Sequence, residues 1–231
     1  MSYYLIHACN QRMWYVKEYL MPSMLAQGIP AENIFVYRDY NEIGNLRAFV
    51  DSCNKLVVQS KNNNIDGVWH LQDDVIISND FYQKTQLYDN GLVCGFTCAY
   101  DKKPEDGYFQ LYQQKMWFSF PCLRIPTNVL SAFVDWANVN LWQSKYFKGW
   151  VRRNKADDLI FRDWVYDNYP DMTHLNLAPN IVNHIDKYLG GSVVNMQRDK
   201  EQDTMSIFWN DSGELQDVMK FLLDKQREHL V

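Results

Sequence analysis

Several things are scarce in this chain, and each shortage closes off a class of protein. The excess of positive charge that marks a general nucleic-acid binder is absent, because the formal net charge is −5. No apolar run approaches the roughly 18 residues that span a bilayer. The start Met1-Ser2-Tyr3-Tyr4-Leu5 lacks the basic and long apolar regions of a secretory leader. Cysteines number only five (Cys9, Cys53, Cys94, Cys98 and Cys122), an odd count without zinc-like CxxC pairs. They read as free thiols of a reducing compartment, and the expected location is cytosolic. Gly and Pro are few, at 10 and 7, and neither clusters into a linker; repeats and low-complexity tracts are also missing. Hydrophobic residues at 47% exclude a disordered chain, and 231 residues suffice for one large domain with a sizeable core.

The pattern that remains alternates strands with helices. Tyr3–Ala8, Asn33–Tyr37 and Gly67–Leu71 read as strands. A helical stripe runs through Gln11–Gln27, with Pro22 as a start, kink or break. Ile43–Lys61 is the clearest helix, with Leu46, Phe49, Val50, Cys53, Leu56 and Val57 at three-to-four spacing. Further on, Leu92–Ala99 reads as a strand and Tyr108–Phe120 as an extended pair or loop. Pro126 opens a helix, Asp157 or Asp158 opens another, and Asp211-Ser212-Gly213-Glu214 resembles a capping box before a last helix. The expected architecture is α/β: one Rossmann-like domain over 1–231, with a mixed, mostly parallel sheet flanked by helices and a C-terminal helix. Within it, the parse is 1–100, 101–195 and an extension over 196–231.

The chemistry centres on Gln72-Asp73-Asp74, which ends the apolar run Gly67-Val68-Trp69-His70-Leu71. Adjacent carboxylates at the carboxyl end of a strand suit a hard divalent ion, and open α/β sheets bind ligands at that edge. An acidic turn is the alternative. Two further elements follow, Ala156-Asp157-Asp158-Leu159-Ile160-Phe161 and Pro179-Asn180-Ile181-Val182-Asn183-His184-Ile185 with Gly190-Gly191-Ser192. In this order and at these spacings the three resemble the metal-dependent GT-A glycosyltransferases. Gln72 departs from the acid that many members carry at that place.

The resemblance implies that 1–100 is the nucleotide-sugar half and 101–195 the acceptor and catalytic half, in a bacterial or viral-host cytoplasm. It implies a nucleotide-sugar donor, a UDP-sugar first, with Mn²⁺ or Mg²⁺ on its diphosphate. It implies Asp74 as metal ligand, Asp73 as a ribose or outer contact, and His184 as a further ligand. Asp158 is the implied general base and Asp157 its alternate, although adjacent acids at a helix start also cap free N–H groups. A base in this position suits inversion at the anomeric carbon. Donor contacts are expected from Arg12 on a phosphate, Asp39 on base or ribose, and Arg47 at the start of the long helix. The stretch Lys145–Lys155 carries five cations and three aromatics without an acid. Lys148, Trp150, Arg152 and Arg153 are its candidate acceptor contacts, with a glycan or a DNA hydroxylated base as acceptor and a solvated basic loop as the plain alternative. A phage-type DNA-modifying transferase, a metal-dependent nuclease or phosphatase, and a carbohydrate-binding module are the competing functions.

Overall fold

The computed structural model describes residues 2–39, 44–63, 65–88, 91–96, 110–111, 120–150, 157–172, 174–177, 180–185, 189, 220–222 and 224–225. Its main sheet has seven strands in the order β2-β1-β3-β7-β5-β8-β6. These are β1 (Ser2–Cys9), β2 (Ile34–Asp39), β3 (Gly67–Gln72), β5 (Leu92–Cys94), β6 (Gln110–Leu111), β7 (Cys122–Pro126) and β8 (His174–Asn176). β1 pairs in parallel with both β2 and β3, while β7 enters antiparallel between β3 and β5. β8 continues parallel to β5, and β6 closes the edge antiparallel. Only β7 and β6 therefore run against the common direction, and the sheet is mixed and mostly parallel, as expected.

Alternation along the strands sends side chains to two separate cores. Tyr3, Leu5 and Val68 join Leu123 and Ile125 on one face; Tyr4, Ile6, Ala8, Trp69 and Leu71 join Cys122 on the other. The first face is covered by α3 (Asn45–Asn63), α5 (Thr127–Asn140) and α7 (Asp157–Asn168). All six apolar positions of the α3 stripe are buried there, and Phe49 packs on Phe120, Phe133 and Phe161. α5 begins right after Pro126, whose fixed φ suits an N-cap.

The second face is covered by an irregular helical segment. A 3-10 turn (Asn10–Arg12) leads into α1 (Met13–Tyr15), a π-helical stretch (Val16–Leu20) and α2 (Met21–Ala26). Pro22 sits in the first turn of α2, where its missing N–H costs little. The same face holds α4 (Phe81–Leu87) and a second, two-stranded sheet of β4 (Val75–Ile77) and β9 (Val182–His184).

Some elements differ from the sequence reading. The stretch expected as a basic loop is helical over α6 (Lys145–Trp150). Lys145 pairs with Asp167 of α7 at 2.5 Å, and the Tyr146 hydroxyl donates to the same carboxylate at 2.7 Å. These contacts dock the segment on α7 and give it a reason to coil. The proposed capping box at 211–214 lies outside the described residues, whereas residues 220–222 and 224–225 are helical. Among the described residues no helix is long and apolar enough to cross a membrane.

Candidate active site

Parallel pairing aligns the carboxyl ends of β1, β2 and β3, so Cys9 lies opposite Asp39 and His7 opposite Gln72. Asp73 and Asp74 turn the chain out of β3 at this edge and into β4. Both are buried, at 5% and 7% exposure, which is rare for carboxylates and demands partners.

Arg12, itself 5% exposed, supplies one. Its Nη1 donates to Asp73 Oδ1 at 3.1 Å and also reaches Asp74 Oδ2. The second oxygen of Asp73 accepts the Cys9 N–H at 2.7 Å. Asp73 is thus held at both oxygens. Asp74 is different. Its Oδ1 is buried and accepts no well-directed hydrogen bond, yet His184 Nε2 lies 3.2 Å away.

That approach is made by the small sheet. Val75 pairs with His184, and the Ile185 N–H donates to the Asp74 carbonyl at 2.8 Å. The Tyr15 hydroxyl, at the start of the π-helical stretch, donates to the Val75 carbonyl at 2.7 Å and fixes β4 from below. Gly95 lets β9 come close: a Cβ there would stand 2.7 Å from Cys122 Sγ and 2.8 Å from Ile181 Cγ1.

Electrostatics separates the two acids. Burial opposes ionisation of Asp74, but His184 and Arg12 together hold its carboxyl well below the usual range. Burial, and then the charge of Asp74, push Asp73 the other way. His70 belongs to the interior, where burial lowers it to about 3, and half-buried His7 is lowered to about 4 by desolvation. Asp39 is buried at the end of β2, on the edge where the donor contact was expected.

The implied acids and imidazole can be compared with what a divalent ion needs. A buried carboxylate oxygen that accepts no well-directed hydrogen bond and faces an imidazole nitrogen is a suitable pair of donors for Mn²⁺ or Mg²⁺, to be completed by oxygens from outside the protein. Asp74 and His184 therefore fit the group. Asp73, saturated by Arg12 and Cys9, fits an outer role. Among the described residues no group of three or more His, Cys, Asp or Glu converges as a self-sufficient metal cage.

Asp157 and Asp158 open α7: the Asp158 N–H donates to Asp157 Oδ1 at 3.1 Å, and the Leu159 N–H to Asp158 Oδ1 at 2.8 Å. Asp157 is buried near Cys53 of α3, and burial with the neighbouring Asp158 charge raises it to about 7. Asp158 is half-buried. Arg47 is exposed, with its guanidinium 4.8 Å from the Trp142 ring centroid. Lys148 is exposed on α6. The Trp150 side chain, Arg152 and Arg153 lie outside the described residues.

Sequence reading missed the Cys9 N–H and Tyr15 as parts of this site. A backbone donor leaves no trace in residue type. Tyr15 lay inside the helical segment Gln11–Gln27 but off its apolar stripe of Trp14, Val16, Leu20, Met24 and Leu25, and its hydroxyl was the one available signal.

No protein-family model matches the chain, and no curated protein sequence does. Among solved structures it is similar to A197 from STIV, at a TM-score of 0.46 and 10% identity over 79% of this chain and 85% of that one. It is similar also to a glycosyltransferase involved in glycosylation of the major capsid of PBCV-1, at a TM-score of 0.47 and 9% identity over 77% and 83%.

Proposed function

We propose that this chain transfers a sugar from a nucleoside diphosphate sugar, a UDP-sugar first, to an acceptor hydroxyl. The observation that carries the reading is the Asp74–His184 pair, set 3.2 Å apart at the carboxyl end of β3 by the β4–β9 ladder. That edge is where open α/β sheets take ligands. Asp74 and His184 would hold the divalent ion, which when bound supplies charge neutralisation on the leaving diphosphate. Asp73, anchored by Arg12 and the Cys9 N–H, orients the turn that presents Asp74. Asp39 would take the ribose or base.

In the transfer, the acceptor oxygen forms its bond to the anomeric carbon as that carbon's bond to the diphosphate oxygen breaks. The electron pair leaves with the diphosphate, and the hydroxyl proton passes to a carboxylate. Asp158 has the access for that role, and Asp157 has a proton affinity close to neutrality, where a general base works best. Attack opposite the leaving group gives inversion. Exposed Lys148 would face an anionic acceptor.

The test is a thermal-shift panel of UDP-, GDP- and CMP-sugars with and without Mn²⁺, followed by donor hydrolysis. A donor that binds the native state alone raises its melting temperature. Stabilisation by one nucleotide series, enhanced by Mn²⁺ and lost in Asp74→Asn, is the expected result. A flat response to every donor would sink the proposal.

A further inference from the structure

Arg12 was expected on a phosphate, but it lies on the two carboxylates instead. We infer that Arg12 is a positioning residue that makes cation binding at Asp74 depend on a bound diphosphate. The inference rests on the nucleotide-sugar reading above and concerns the order in which that site fills.

Two features carry it. The first is the division of labour among the four carboxylate oxygens. Arg12 takes Oδ1 of Asp73 and Oδ2 of Asp74, and the Cys9 N–H takes the remaining oxygen of Asp73. Only Asp74 Oδ1 is left without a directed hydrogen bond, and it is turned toward His184. Arg12 thereby selects which oxygen meets an ion and prevents the acidic pair from chelating through both side chains.

The second feature is charge. Two carboxylates and one guanidinium, all at less than a tenth exposure, leave at most one net negative charge. A divalent ion on Asp74 would sit across a single carboxylate from a buried guanidinium, and buried charges are weakly screened. The protein alone offers too few anionic oxygens for tight binding. A nucleoside diphosphate brings the missing negative charge and further oxygen ligands. Ion and donor therefore enter as a unit, and the empty-handed protein holds the ion poorly.

The experiment is Mn²⁺ uptake followed by electron paramagnetic resonance, with Mn²⁺ alone and with Mn²⁺ plus UDP, the Mn²⁺–UDP complex being measured separately as baseline. Wild type should bind Mn²⁺ weakly alone and at least about tenfold more tightly with UDP, the scale of an outer-shell contribution to a metal site. Arg12→Gln should bind Mn²⁺ alone about tenfold more tightly than wild type and gain less from UDP. Arg12→Lys keeps the charge and should stay near wild type. Equal affinity of wild type and Arg12→Gln for Mn²⁺ alone, in a site that Asp74→Asn abolishes, overturns the inference but leaves the transferase reading standing. Absence of Mn²⁺ uptake by every form under both conditions overturns the metal assignment and this inference together. Should Arg12→Gln fail to fold, Asp73→Asn shifts the charge the opposite way: it should weaken uptake of Mn²⁺ alone, and stronger uptake would overturn the charge argument.

Discussion

His184 Nε2 lies 3.2 Å from Asp74 Oδ1, across a ladder in which Val75 pairs with His184 itself. Asp74 directly precedes Val75, the ladder partner of His184, so the two side chains are held together and should act as a unit. His184→Gln is expected to lower Mn²⁺ affinity in the presence of UDP by about 10–100-fold, and Asp74→Asn by at least as much. The double variant should be little worse than Asp74→Asn, because contacting residues are not additive. Fully additive losses in calorimetric titration would show that the two do not share an ion.

Asp157 gives a stability signature. Burial and the neighbouring Asp158 charge push its folded carboxyl up from the usual carboxylate range to about 7. A raised carboxyl favours the folded state while protonated. The contribution is complete below the unfolded value and is lost as pH rises through the folded one. Asp157→Asn keeps the oxygen that accepts the Asp158 N–H and removes the charge. It should be more stable than wild type at pH 8, by a few kcal/mol at most, with the advantage vanishing near pH 4. Urea unfolding at both pH values checks this, and a pH-independent difference would contradict it.

Asp158→Asn addresses the chemistry. It preserves the side-chain oxygen that caps Leu159 N–H, so folding and donor binding should persist. Turnover should drop by about 10²–10⁴-fold, the usual loss for a missing general base. If Asp157→Asn shows that loss and Asp158→Asn does not, the base is Asp157.

Gly95→Ala tests the support behind the site. The new methyl would be driven against Cys122 Sγ and Ile181, just ahead of β9. Overpacking of this kind costs about 1–3 kcal/mol. Because Ile181 leads into His184, Mn²⁺–UDP binding should weaken beyond what global unfolding explains. A destabilised variant with wild-type ion binding would show that β9 is held independently of Gly95.

Much of the first half was legible because its physics is local. Short apolar strand runs, the α3 stripe and Pro126 announce themselves within a few residues, and the structure places them within two residues of the expected limits where both ends are described. What escaped notice depends on distant partners. β7 reads as a short apolar run, and nothing in Cys122–Pro126 says that it enters antiparallel between β3 and β5. β4 and β9 are three residues each, too short for a period. The acids and His184 could be listed from the sequence; that Arg12 would spend its guanidinium on Asp73 and Asp74 could not. Its residue type suits a phosphate equally well, and only the 3-10 turn after β1 decides where it points.

The β4–β9 ladder also dictates when the site comes into being. During synthesis β1 to β4 emerge long before β9, so the acidic turn must wait for nearly the whole domain before its histidine arrives. Pairings between such distant segments close slowly, since the intervening chain must first be ordered. Until then β4 presents an unpaired edge, the sort of strand that recruits the wrong neighbour. A chain halted before Val182 would keep Arg12 on its two acids but lack the histidine that meets Asp74, and its hazard would be aggregation through Val75–Ile77 rather than slow turnover.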